Sequence, residues 1–300
     1  MALTFHNLTV IESFNVHYLE AGAKSLPTLL LLHGFPASSN QFKTLAPLLA
    51  HKYHVVAPDY PGFGLTTYPD DFVFTFDNIA GVIAAFISAL QISTYALYIF
   101  DYGAPVGLRI ALQQPQAVKA IISQNGNAYD AGFGQDFWAP IFNLWNTSNS
   151  QAARDVIAQG VLSLSTTKAQ YTTGVPASDL DQVDLIDPTL DYLLNLQGTA
   201  NQEHQLDLFY DYRTNPRIYY PKFHEYFRKT QVPLLAIWGK GDPAFIPAGA
   251  EAFKQDLPKA VVKFVDTGHF ALQTKLREIA HAILEFLPSV GFGSRSEGQW

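Results

Sequence analysis

The sequence predicts an α/β fold: a mostly parallel sheet flanked by helices, with a helical region inserted into it. Three observations carry this expectation. Strand and helix signals alternate from about Pro27 to Ser123, as parallel strands joined by helical crossovers require. Between Ala128 and Thr230 the alternation stops; the periodicity there is helical, with aromatic residues throughout. At Pro233 the alternation resumes and continues to Leu287. The expected division is a core of 1–127 and 231–300 and an inserted helical unit of 128–230.

The elements follow in order. Leu3–Val10 and Phe14–Leu19 are short alternating runs around Glu12-Ser13 and predict a hairpin. Pro27–Leu32 is a continuous apolar run, the mark of a strand covered on both faces. It ends in His33-Gly34-Phe35-Pro36. Ser38 or Ser39 then caps an expected helix through Leu49, with Phe42, Leu45, Leu48 and Leu49 on one face. Tyr53–Ala57 is the next strand, stopped by the turn-rich Pro58-Asp59-Tyr60-Pro61-Gly62-Phe63-Gly64. Phe76–Leu90 is an apolar helix, Tyr95–Phe100 a buried strand, and a helix starts near Ala104. Beyond it come strand Val118–Ser123, strand Leu234–Trp238, helix Ala248–Leu257, strand Val261–Val265 and helix Leu272–Leu287. Gly291–Trp300 is expected to be a frayed tail.

Composition narrows the function. Of the 300 residues only 15% are charged and 48% are apolar, which suits a compact globule with a large interior. The net charge of −7 comes without a basic stripe, so nucleic acid is not an expected partner. There are no cysteines, which removes disulfides, thiolate metal sites and thiol nucleophiles. The start, MALTFHNLTV, has neither a basic nor a sustained apolar stretch, and no apolar run approaches the roughly 20 residues of a membrane span. A cytoplasmic protein without membrane attachment is expected, as a monomer or homodimer. No metal or nucleotide motif occurs, so no cofactor is expected; His51 and His54 are expected to be solvated.

In such sheets function lies beyond the carboxyl ends of the strands. The residues there are His33-Gly34-Phe35-Pro36, Asp101, Asn125, Asp242 and His269. Asp101 stands where a strand turns directly into a helix, the logic of a nucleophile elbow, but with a carboxylate in place of a serine. Alone, Asp101 would be a turn former before Gly103, Asp242 a turn or helix-starting residue, and His269 an ordinary loop histidine. Together, at successive strand ends in the order nucleophile, acid, histidine, they form a coherent set.

With these residues the chain resembles the α/β-hydrolase superfamily, and within it the branch of epoxide hydrolases and haloalkane dehalogenases, which use an Asp nucleophile. His33-Gly34-Phe35-Pro36 looks like the branch's HGxP loop, and Pro61-Gly62-Phe63-Gly64 like its glycine turn. The insertion at 128–230 matches its cap. The resemblance implies a cis peptide before Pro36 and an oxyanion hole made by the backbone N–H groups of Phe35 and Tyr102. An already ionised Asp101 needs no base to attack, which frees His269, oriented by Asp242, to activate water against the resulting ester. Asn125 stands where some dehalogenases carry their acid; an amide cannot fill that role, which favours Asp242.

The leaving group sets the remaining needs. An opening epoxide wants O–H donors, and by resemblance these are two cap tyrosines. Tyr212, in Asp211-Tyr212-Arg213-Thr214-Asn215, looks like the second, and Tyr171, in Gln170-Tyr171-Thr172-Thr173-Gly174, like the first; Tyr210, Tyr219 and Tyr220 are substitutes. A leaving halide wants N–H donors, commonly a Trp after the nucleophile, where this chain has Tyr102. Phe35 in place of Asn in the oxyanion loop counts the same way. Ile99, at a position often small in epoxide hydrolases, and Phe100, where His is common, are departures. Trp138 or Trp145 could serve a halide.

The expected function is thus hydrolysis of small apolar epoxides to vicinal diols, with Phe35, Tyr102, Trp138 and Phe270 lining the substrate site. Haloalkane dehalogenation is the alternative. An ester or lactone hydrolase fits poorly because Gly-x-Ser-x-Gly is absent. A non-catalytic binding protein would not be expected to keep all three polar residues.

Overall fold

The computed structural model describes residues 2–11 and 13–293. Glu12 of the hairpin turn and residues 294–300 of the expected tail lie outside the described residues. One eight-stranded sheet organises the chain, in the order β1-β2-β4-β3-β5-β6-β7-β8. Its strands are β1 (Leu3–Val10), β2 (Phe14–Ala21), β3 (Thr28–Leu32), β4 (His54–Pro58), β5 (Tyr95–Phe100), β6 (Val118–Gln124), β7 (Leu234–Gly239) and β8 (Val261–Val265). The β1–β2 and β2–β4 pairs are antiparallel, and all pairs from β4 to β8 are parallel.

The continuous apolar runs are explained by burial on both faces. Leu30, Leu32, Leu97, Ile99 and Ile121 enter one core, and Leu29, Leu31, Tyr98, Phe100 and Ile122 the other. This is the period-two alternation of a strand, with both sets apolar. Each fully buried Leu or Ile contributes about 1.5–3 kcal/mol relative to exposure.

On the flanks lie α1 (Leu45–Leu49), α2 (Phe76–Ala89) and α3 (Gly103–Gln113). The helix expected from Ser38 to Leu49 is in fact split: Ser38 caps a 3₁₀ turn over Ser39–Phe42, and α1 begins only at Leu45. Pro47 is the physical reason. It has no N–H to give to Lys43, but it is harmless in the first turn of a helix that starts afresh. His54, expected to be solvated, is buried and pairs with Glu20 at 2.6 Å.

Between β6 and β7 the chain forms α4 (Gln135–Asn146), α5 (Gln151–Gly160), α6 (Leu164–Thr172), α7 (Ile186–Asp191), α8 (Thr199–Asp211) and α9 (Tyr220–Thr230). Two π turns, Tyr192–Leu196 and Asn215–Tyr219, interrupt them. The sheet then resumes, with α10 (Pro247–Ala252) and α11 (Leu272–Ser289) returning to its flanks. Among the described residues no helix is long and apolar enough to cross a membrane.

Candidate active site

Strand β5 delivers Asp101 at the point where the chain reverses into α3. Asp101 has φ +48°, a strained left-handed conformation, so its side chain projects from the turn. Two glycines permit it. A Cβ on Gly103 would stand 2.3 Å from the Leu32 carbonyl, and one on Gly34 would stand 2.3 Å from the Asp101 Cβ. The Phe35-Pro36 peptide is cis.

The two carboxylate oxygens of Asp101 are treated differently. Oδ1 accepts from the backbone N–H groups of Phe35 and Tyr102, each at 2.6 Å. Oδ2 faces His269 Nε2 at 3.9 Å, beyond hydrogen-bond reach. Oδ2 is therefore the oxygen free to attack, and Oδ1 already sits where two donors would stabilise an oxyanion. Burial raises the Asp101 pKa to about 6, against the pull of His269 and of the two amides.

His269 is held from behind. Its Nδ1 lies 2.6 Å from Asp242 Oδ2, which leaves Nε2 directed at Asp101. Asp242 Oδ1 accepts from Ala244 N (2.7 Å) and Phe245 N (3.1 Å), and Oδ2 also accepts from Asn125 Nδ2 (2.7 Å). Both carboxylate oxygens are thus satisfied, as a buried charge requires. Burial works against protonation of His269, but the charge and hydrogen bond of Asp242, with Asp101 beyond, outweigh it and raise its pKa.

Asn125 has a part that was not legible in the sequence. Its amide clamps the carboxylate of Asp242. Its Oδ1 accepts from Gly239 N (2.9 Å) and Gln124 Nε2 (2.7 Å), and Gln124 Nε2 also donates to the His269 carbonyl (3.0 Å). The available signal was position: Asn125 directly follows β6, beside the strand that leads to Asp242.

His33 in the same loop is structural. Burial drives its pKa down to about 3, so it stays neutral; its Nε2 accepts the Tyr60 N–H and its ring stacks on Tyr60 at 4.0 Å.

Around Asp101 the walls are aromatic. The Tyr102 ring neighbours Phe35 (5.7 Å between centroids), Phe76 (4.9 Å), Phe209 (6.2 Å) and Tyr212 (5.9 Å). Trp138 packs on Tyr212 at 4.8 Å. The structure therefore gathers Phe35, Tyr102, Trp138 and Tyr212 on the Asp101 side. The hydroxyls of Tyr60 and Tyr102 are buried and make no hydrogen bond, and that of Tyr212 is buried against the Tyr220 hydroxyl. Burial holds the pKa of Tyr212 well above 10, helped by the adjacent Tyr220 hydroxyl and by Asp101. Burial and the Asp101 charge do the same for Tyr60 and Tyr102.

Two expected residues are committed to other contacts. The Tyr171 hydroxyl donates to Asp191, and its ring stacks on Phe270 at 3.7 Å. Tyr171 and Phe270 both belong to the core on the Phe100 face of the sheet, whereas Phe35, Tyr102 and Tyr212 belong to the other. Tyr171 is therefore not aimed at Asp101, and Phe270 is spent on packing. Of the substitutes, Tyr219 donates to Asp77 at 2.7 Å and Tyr210 lies under Arg213; Tyr220 alone adjoins Tyr212.

The indoles are also committed. Trp138 Nε1 donates to the Ala244 carbonyl (2.9 Å), Trp145 Nε1 to Phe209 (2.8 Å) and Trp238 Nε1 to Phe245 (2.7 Å). Among the described residues no indole N–H is left for a halide, which corrects the expectation for Trp138 and Trp145. A cavity of about 390 Å³ between α4, α6 and the Asp242–Ala244 loop reaches His269 and Asp242. No group of three or more metal-ligating side chains occurs among the described residues.

The chain matches the family model described as alpha/beta hydrolase fold over residues 27–276. An uncharacterized hydrolase of Saccharomyces cerevisiae is 43% identical over 284 residues, covering 93% of this chain and 96% of the relative. Among solved structures, the epoxide hydrolase CorEH superposes with a TM-score of 0.76 at 19% identity, covering 96% of this chain and 100% of the other. The haloalkane dehalogenase DbeA of Bradyrhizobium elkani gives 0.76 at 18% identity, covering 97% and 99%. At those identities the two structures speak for the fold alone.

Proposed function

The chain belongs to the α/β-hydrolase family, and from that premise we propose that this hydrolase opens small apolar epoxides to vicinal diols through an ester on Asp101. In the first step Asp101 Oδ2 attacks an epoxide carbon, the C–O bond of the ring breaks, and the departing oxygen takes a proton from a tyrosine. In the second, water adds to the ester carbonyl while His269 Nε2 takes its proton. Oδ1 carries the developing charge against the Phe35 and Tyr102 N–H groups, each such donor being worth about 3–4 kcal/mol. Collapse breaks the bond between the carbonyl carbon and Oδ2; the leaving oxygen takes the proton held by His269 Nε2 and departs as the diol, and the proton of the new Asp101 carboxyl group returns to the tyrosinate. The helical segment of 128–230, in this reading, is a cap that supplies the proton donor and shapes substrate choice.

The observation that carries the epoxide reading over the halide one is the supply of donors beside Asp101. Tyr212 and Tyr102 offer buried, protonated hydroxyls, that of Tyr102 without a partner and that of Tyr212 against the Tyr220 hydroxyl, while the described indole N–H groups are all consumed by carbonyls. An unpaired buried hydroxyl costs about 1–3 kcal/mol, a cost relieved when a substrate oxygen arrives. Tyr212 is assigned as the principal proton donor and the Tyr102 hydroxyl as its partner.

Tyr212→Phe is expected to lower kcat/KM for styrene oxide about 100-fold, the scale of one general-acid contribution, with little change in the melting temperature. The decisive comparison sets styrene oxide beside a bromoalkane. Diol formation that depends on Tyr212 supports the proposal. Halide release without any diol would overturn it.

A further inference from the structure

The Phe35 N–H is useful only if the loop that carries it is held, and one residue from the insertion reaches across to hold it. Asn195 lies in the π turn Tyr192–Leu196 and is completely buried. Its Nδ2 donates to the Pro36 carbonyl and its Oδ1 accepts the Gly64 N–H, both at 2.7 Å. A single amide thus bridges two loops of the sheet: the one bearing the oxyanion donor and the glycine turn beside it.

We infer that Asn195 is a positioning residue for the oxyanion hole, coupling the seating of the 192–196 turn to the ester-hydrolysis step. Pro36 has a ring-fixed φ, so anchoring its carbonyl restrains the backbone immediately after Phe35. The two loops do not depend on Asn195 to meet. Asp59 joins them independently, with Oδ1 accepting from Ser39 N (2.7 Å) and Oδ2 from Leu65 N (2.9 Å). Loss of the Asn195 amide therefore leaves the loops together but lets the Phe35 N–H drift.

The chemistry predicts which step suffers. During alkylation Oδ2 attacks, and charge leaves the carboxylate. During hydrolysis Oδ1 gains a full negative charge, and that is when a misplaced Phe35 donor is felt. The inference rests on the ester reading above, and its test separates the two.

Asn195→Leu and Asn195→Ala each remove both bonds, the second without refilling the space of the amide. With styrene oxide in rapid-quench and intact-mass experiments, both variants should form the Asp101 ester within about threefold of the wild-type rate. Both should then hydrolyse it about 10- to 100-fold more slowly, the usual cost of an ångström-scale misplacement, so that the ester accumulates. A variant that alkylates normally is folded by that fact alone. Should Asn195→Leu not fold, Asn195→Ala carries the test, because it introduces neither added bulk nor a buried charge. Hydrolysis at the wild-type rate, or both steps slowed equally, overturns the role of Asn195 while an ester seen in His269→Gln keeps the ester mechanism standing. Absence of ester in His269→Gln overturns both together.

Discussion

His269→Gln enzyme mixed with styrene oxide should gain the mass of one substrate on Asp101 and then stop. The residue has no contact that the first step needs. Asp101 Oδ2 is free, Oδ1 is already held by two N–H groups, and the 3.9 Å gap to Nε2 shows that His269 is not bonded to the attacking oxygen. In the proposed mechanism the second step does need it, since water must lose a proton as it adds to the ester carbonyl. Glutamine keeps much of the shape and can still donate to Asp242, but it is no base. Turnover should fall about 10³- to 10⁴-fold, the upper range for general-base catalysis, while the rate of ester formation changes by only a few-fold. Continued steady-state diol production would remove His269 from the mechanism.

Asp101→Asn should abolish turnover and at the same time stabilise the protein. Without a nucleophile the loss is expected to exceed about four orders of magnitude. The stability gain follows from the raised pKa. In the folded protein burial lifts Asp101 from 3.8 to about 6. The folded state thus binds that proton more tightly than the unfolded chain, and stability declines as pH rises from about 4 to 6. Above that, the folded state bears the full cost of a buried charge, on the order of 3 kcal/mol for a shift of about two units. An amide has no such cost. Denaturant unfolding should show the variant more stable by roughly 1–3 kcal/mol at pH 8, the difference shrinking towards about pH 3. A variant less stable than wild type at pH 8 would show that Asp101 contributes more through its hydrogen bonds than it loses by desolvation. In the proposed mechanism the same ionisation governs attack, so kcat/KM for styrene oxide should fall below about pH 6.

The framework of this site was legible because it depends on local sequence. A strand that runs into a tight turn and a helix announces itself, and β5 occupies the expected Tyr95–Phe100. Asp242 and His269 were legible for the same reason, each directly following a buried strand. What was not legible depends on partners distant in the chain. Tyr171 sits in a helix whose sequence does not reveal which side faces the sheet, and its hydroxyl is captured by Asp191, twenty positions on. The Trp138 N–H is consumed by a carbonyl 106 residues away. Asn195 bridges to Pro36 across 159 residues, and nothing around it in Leu194-Asn195-Leu196 distinguishes it from a surface amide. A side chain's reach is fixed by tertiary packing, which periodicity constrains only to a face.

The most direct test of the mechanism is where oxygen goes in one turnover in heavy-oxygen water. An ester on Asp101 requires that water attack the carboxyl carbon, so the solvent oxygen stays in Asp101 and the diol leaves with an oxygen that was Oδ2. Mass spectrometry of the Asp101 peptide after a single turnover should therefore show one heavy oxygen, and the first-formed diol none. Label in the diol with none in Asp101 would mean that water attacks the substrate directly and that Asp101 is not the nucleophile.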